Sequence, residues 1–223
     1  MSDLKVNRKR SYGSFVQNSG LPVAPAEQRA EALASALKEK GLLPDGFVEE
    51  YLQHAEQAWK PENGAKVVAR AWLDAAYRER LATDATAAVA ELGYFGPPQQ
   101  KRIVALFNTP VLQNVVVCTQ CSCTAWPVLG FPPDWYKDVE YRARAVRESR
   151  GVLRELGLDL PQRVQIKMWD TTADTRYFVV PVRPDGTDGW AAEELAAIVT
   201  QDCMIGVANP ILPQGGRTSL QHG

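Results

Sequence analysis

Eight residues, GYFGPPQQ at 93–100, separate two hydrophobic periods along the chain. Two glycines and two prolines in that span stop any regular element from running through it. Before the break the period is helical: Ala30, Leu33, Ala34 and Leu37 fall at i, i+3, i+4 and i+7, and Gly41 follows as a stop. Asp45 is placed to cap a second helix through GFVEEYLQHAEQAW, Asn63 a third through GAKVVARAWL, and Asp84 a short one through ATAAVAEL. After the break, RIVALF and NVVVC are rich in β-branched residues, RVQIKMW alternates, and RYFVVPV leads into the turn RPDGTDG. Helical spacing returns in DVEYRARAVRESRGVLRELG and in WAAEELAAIVT. The pattern predicts an α+β protein with a helical arm over 25–92 and an α/β domain over 93–223. Residues 1–24 are polar and aperiodic, and read either as an arm that orders against a partner or as a disordered tail.

With 223 residues, 45% of them hydrophobic and 23% charged, the chain can bury a proper core. A formal net charge of -1 leaves no basic surplus to neutralise a phosphate backbone, which argues against nucleic acid as a partner. No apolar run approaches the roughly 20 residues that span a bilayer, and MSDLKVNRKRSYGSF has no apolar stretch behind its basic residues. A cytoplasmic protein without a membrane partner is expected.

The chain has four cysteines, and three of them, Cys118, Cys121 and Cys123, stand within VCTQCSC. That crowding does not resemble a secreted disulfide framework. Structural zinc wants four ligands, and the fourth would have to be Cys203, His54 or His222, each distant in sequence. An iron–sulfur cluster would likewise have to recruit Cys203. A redox disulfide could use Cys118 and Cys121 at C-x-x-C spacing but leaves Cys123 without a role. The C-S-C spacing permits something else. If Cys121 and Cys123 bind one metal, the backbone nitrogens of Ser122 and Cys123 can close chelate rings between the two sulfurs. Cys118 can then take an axial place, and a sixth position stays open. Deprotonating backbone amides needs a strongly Lewis-acidic ion, so trivalent cobalt or iron fits and magnesium or calcium does not. Such a site is anionic, yet Val111 to Tyr136 contains no Lys or Arg. The compensating cations must fold back from elsewhere or come from a second chain.

The stretch VCTQCSCTAWPVLGFPPDWYK resembles the metal-binding loop of nitrile hydratase α subunits. The likeness extends to NGAKVVARAW and NTPVLQNVVV upstream, and to EYRARAVRESRGVL, WDTTADTRY and RPDGTDGW downstream, covering about residues 30 to 210. The resemblance implies a four-layer α-β-β-α domain behind a helical arm that grips a β subunit, in a heterodimer or heterotetramer. It implies a non-haem, non-corrin Co(III) or Fe(III) centre that hydrates nitriles to amides, loaded by an activator or metallochaperone. Cys118, Cys121, Ser122 and Cys123 become the metal ligands, with Cys121 oxidised to a sulfinate and Cys123 to a sulfenate. The β subunit then supplies arginines to the oxidised sulfurs. Cys123 becomes the nucleophile or base toward water.

Other positions follow from the same resemblance. Gln99 stands where the family carries an active-site glutamine, although the doubled GPPQQ lets Gln100 take that place. Trp126 resembles a wall of the substrate pocket. Lys137, Asp170, Asp174 and Arg176 resemble a polar network farther out, and each can also be read as a surface ion pair. Thr119 and Thr124 flank the ligands. Gln120 stands where leucine is usual. Thr119 leans toward the cobalt type, whereas TAWP and EYRARAVRE lean toward iron, and cobalt is favoured slightly. Two alternatives stay open: a thiocyanate hydrolase γ subunit, which VRPDGTDGW and QDCMIGVA also resemble but in which arginine is expected at Trp126, and a structural zinc-binding module.

Overall fold

The computed structural model describes residues 25–98, 100–121 and 123–213. Five helices come first: α1 (Ala26–Glu39), α2 (Phe47–Ala58), α3 (Pro61–Leu73), α4 (Ala75–Thr83) and α5 (Ala85–Ala90). Asp84 caps α5 as expected, its carboxylate accepting the N–H of Ala87. Asp74 does the same for α4 through Tyr77, a helix the periodicity does not single out because only Tyr77 and Leu81 are buried along it. Two expected caps are wrong. α2 is entered through Gly46 in the left-handed conformation (φ 76°) with no side-chain cap, so Asp45 plays no such part. α3 starts at Pro61, whose fixed φ and missing N–H suit a first turn. Asn63 therefore lies inside that helix, buried, and donates to the carbonyls of Ala58 (2.8 Å) and Pro127 (3.0 Å). Along α1 and α2, Leu33, Phe47, Tyr51 and Leu52 remain exposed.

The strands are β1 (Arg102–Phe107), β2 (Leu112–Val117), β3 (Gln165–Asp170) and β4 (Thr175–Val180). Consecutive strands do not form hairpins. β1 pairs in parallel with β4, Arg102 opposite Thr175. β2 pairs in parallel with β3, and Val117 lies opposite Asp170. The two small sheets meet through β2 and β4, with α4 and α5 against β1. On the far side α9 (Ser149–Glu155) packs on β3, which completes the α-β-β-α succession.

Four more one- and two-turn helices lie in the second half beside α9 and α10 (Ala192–Ala197): α6 (Trp126–Leu129), α7 (Asp134–Lys137), α8 (Val139–Ala145) and α11 (Gln201–Ile205). The span 138–157, expected as one helix, is broken between α8 and α9, where Glu148 takes φ -136°. Arg144 bridges the break, pairing with Glu148 at 2.5 Å and Glu155 at 2.6 Å.

Val67 and Val68 of α3, Tyr77, Leu81, Val89, Val115, Val117, Phe178, Met204 and Ile205 share one buried cluster, and Cys118 belongs to it. The exit of β2 is fixed from behind. Gln113 bonds to Asn108 and to the Gly206 carbonyl, while Asn114 bonds to Asn108 and receives the Trp169 indole N–H. Gly206 (φ 94°) lies so close to β2 that a Cβ there would come within 2.1 Å of the Asn114 carbonyl oxygen. Among the described residues no helix is long and apolar enough to cross a membrane.

Candidate metal centre

β2 delivers Cys118 at its buried end, and the chain then turns over Thr119 to Cys121 and comes back with Cys123 half-buried. The three sulfurs lie within 4.8 Å of one another. Cys118 Sγ is 3.5 Å from Cys121 Sγ, which is 2.6 Å from Cys123 Sγ. Ser122 lies outside the described residues, as does Gln99.

Three sides hold this loop. The Thr119 N–H and hydroxyl both donate to the carboxylate of Asp170, at 3.0 and 2.5 Å. The parallel pairing of Val117 with Asp170 places that carboxylate at the mouth of the turn. The Cys123 carbonyl accepts from the Tyr136 phenol and the Thr171 hydroxyl, each at 3.3 Å. The Thr124 hydroxyl donates to the Gly130 carbonyl (2.7 Å), and its own carbonyl accepts from Gln100 Nε2 (3.2 Å).

The thiols do not share one environment. Burial acts to raise the Cys118 thiol, but hydrogen bonds from the Thr171 hydroxyl and from the backbone at Cys121, Cys123 and Gln120 outweigh it and bring its pKa down to about 7. Burial pushes Cys123 up to about 12, helped by its hydrogen bond with Cys121, while the Arg176 guanidinium pulls the other way. Three thiolates within 4.8 Å repel one another, so all three can be ionised only around a cation. An all-sulfur donor set of this kind suits a thiophilic transition metal and not magnesium or calcium.

Cys203 stands apart. It is buried in the middle of α11, where its sulfur receives the Thr200 hydroxyl at 3.2 Å, and it is absent from the sulfur cluster. His54 lies 6.2 Å from the Trp59 ring on α2, and His222 falls outside the described residues. The four-ligand zinc and iron–sulfur readings thus find no fourth protein ligand among the described residues.

The polar network divides in two. Lys137 pairs with Asp134 at 3.1 Å and Asp174 with Lys101 at 3.6 Å, both on the surface. Asp170 and Arg176 are not surface ion pairs. Asp170 anchors Thr119, and Arg176 is 7% exposed with Nε and Nη1 lacking partners among the described residues. Arg176 therefore folds one cation back toward the loop from β4, which the run without Lys or Arg left open. Gln120 is exposed. Gln100 is buried, and its Oε1 has no partner among the described residues. Trp126 opens α6 three residues beyond Cys123, with its ring 4.9 Å from Trp59 and 5.2 Å from Phe131. Tyr136 and Thr171, whose hydroxyls reach the loop, are not singled out by the sequence pattern, although both lie in stretches that carry the family resemblance, GFPPDWYK and WDTTADTRY.

The family model for the nitrile hydratase alpha chain matches residues 24–208. The chain belongs to the nitrile hydratase α-chain family. The α subunit of the high-molecular weight cobalt-containing nitrile hydratase of Rhodococcus rhodochrous is 49% identical over 189 residues, covering 84% of this chain and 93% of that subunit. An Fe-type nitrile hydratase from Comamonas testosteroni Ni1, solved as a double mutant, is 47% identical with a TM-score of 0.81, over 88% of this chain and 97% of its own. The thiocyanate hydrolase γ subunit of Thiobacillus thioparus is 46% identical over 67% of this chain and 66% of its own length. Membership of the α-chain family implies a β-chain partner. Cobalt and iron types both occur among these relatives, so identity alone does not select the metal.

Proposed function

We propose that this chain is the catalytic α subunit of a nitrile hydratase, adding water across the C≡N bond of a nitrile to give the amide. The observation that carries the reading is the set of three sulfurs gathered within 4.8 Å at the end of β2. A bound trivalent ion, cobalt slightly before iron, would supply a Lewis acid that polarises the nitrile or acidifies water. Cys118, Cys121 and Cys123 would hold it through sulfur, and Ser122 and Cys123 through their backbone nitrogens. Cys123, oxidised to a sulfenate beside Cys121 as a sulfinate, would act as nucleophile or as base toward water. Tyr136 and Thr171 keep the Cys123 carbonyl in place and so orient that sulfur.

Gln99, or its neighbour Gln100, takes the part of the active-site glutamine; a bond from Gln100 to the Thr124 carbonyl and an Oε1 without a partner among the described residues support Gln100 for it. Trp126 forms a wall of the nitrile site. The β subunit docks against the exposed apolar face of α1 and α2, contributes arginines to the oxidised sulfurs, and makes a cytoplasmic heterodimer or heterotetramer. An accessory protein loads the metal. The test is to assay the αβ complex on acetonitrile and on thiocyanate, with Cys123→Ser as control. Amide production lost in the variant supports the reading. Turnover of thiocyanate alone, or nitrile turnover that survives Cys123→Ser, overturns it.

A further inference from the structure

The end of the helical arm is fastened to the segment that follows the cysteine loop. Trp59, directly after α2, is 6% exposed, and its indole N–H donates to the Phe95 carbonyl at 2.9 Å. Its ring meets Trp126 at 4.9 Å and Phe131 at 6.2 Å, while Trp126 and Phe131 meet at 5.2 Å. A side-chain amide and a close backbone approach tie the same pieces together. Asn63 links the Ala58 and Pro127 carbonyls, and a Cβ on Gly130 (φ 66°) would lie 3.1 Å from the Trp59 carbonyl oxygen. The Trp126 indole N–H has no hydrogen-bond partner among the described residues, so packing alone sets the position of that ring. Of its two aromatic neighbours Trp59 is the fixed one, buried and hydrogen-bonded, whereas Phe131 is 40% exposed.

We propose that Trp59 is a specificity-determining positioning residue: by packing its tilted ring against Trp126, with Phe131 at the edge, it sets how far that wall stands from the sulfur cluster and so limits the size of nitrile accepted. The inference rests on the nitrile-hydrating reading. Among the described residues Trp59 has its ring contacts with Tyr51, His54, Trp126 and Phe131 and not with Cys118, Cys121 or Cys123, so it acts through Trp126. A smaller ring at 59 leaves space behind Trp126, and a wall without a hydrogen bond of its own retreats into it.

The test uses Trp59→Phe and Phe131→Leu in the αβ complex, with kcat and KM measured for acetonitrile and benzonitrile beside metal content. The ratio of kcat/KM for benzonitrile over acetonitrile rises by roughly tenfold, the scale on which a pocket reads one methylene. The change appears in KM for the larger nitrile, at wild-type metal content, and vanishes when Trp59→Phe is made in a Trp126→Ala background. An unchanged ratio, or a rise that persists without Trp126, overturns the proposal. If Trp59→Phe loses metal or fails to fold, Phe131→Leu decides, and an unchanged ratio there overturns it equally. A wild-type complex that retains metal but hydrates neither nitrile fails at the underlying reading instead, and is recognised before any variant is made.

Discussion

Gly64→Ala measures how closely the helical arm is fitted to the segment behind the ligands. Gly64 lies in α3 where it passes α6, and a methyl group there would stand 2.1 Å from the Val128 carbonyl oxygen and 2.6 Å from Met204 Sδ. The thioether can move aside. The carbonyl belongs to the α6 backbone and cannot, so the two helices must part by more than an ångström to restore ordinary contact. Alanine in a helix interior is favoured over glycine by about 1 kcal/mol. Overpacking a tight interior costs about 1–3 kcal/mol, with the upper end appropriate where backbone meets side chain. The net loss is about 2 kcal/mol, which lowers Tm by roughly 4–8 °C in a chain of this length. Calorimetry of the αβ complex reads it directly. Because α6 begins three residues after Cys123, the same parting disturbs the ligand loop, and the variant releases metal to a chelator faster than wild type. A Tm that is unchanged or raised would mean that the helix-propensity gain acts unopposed and that α3 and α6 are not closely fitted at Gly64.

Asp170→Asn removes the charge that receives two hydrogen bonds from Thr119, and the loop should loosen by about 1–3 kcal/mol, read as faster metal loss to a chelator; equal rates would refute the anchoring role. Cys203→Ser should leave metal stoichiometry untouched, because that sulfur is engaged with Thr200 outside the cluster; loss of metal would revive a four-thiolate site. Burial raises the phenol of Tyr77 to about 12 and those of Tyr136 and Tyr141 well above their ordinary value. An unfolded tyrosine titrates near 10, so unfolding releases protons above that pH, and the stability present below about pH 10 falls as pH climbs toward 12. Tyr141→Phe, which deletes a buried hydroxyl without a partner among the described residues, should be near neutral at pH 8 and flatten the alkaline loss of Tm; a parallel pH profile would refute it.

The helices with a long apolar stripe and the four strands were legible because their periods extend over enough residues to be counted. The strand pairing was not. Nothing in RIVALF or NVVVC says that short links join strands of different sheets, since register is decided by which faces bury together. Asp45 and Asn63 look like caps by residue type alone, yet Gly46 and Pro61 supply what the backbone needs at those ends. α6, α7 and α11 span too few residues for any period to show. The ligand loop was legible because its chemistry is local, three thiols within six positions. What surrounds it was legible only in part: the resemblance names Arg176 and Gln100, whereas nothing marks Tyr136 and Thr171, whose hydroxyls reach the Cys123 carbonyl only in the folded chain. Arg176 in particular shows why a charge count along 111–136 could leave the source of compensating cations open: a guanidinium that acts on Cys123 arrives from another strand.

The central claim is that Cys118 to Cys123 form an oxidised claw around one trivalent ion. The αβ complex purified from its native host should be analysed for metal, and the peptide carrying Cys118–Cys123 weighed intact. The account predicts about one cobalt or iron per chain, two added oxygens on Cys121 and one on Cys123. Unmodified thiols with zinc as the bound metal would contradict it.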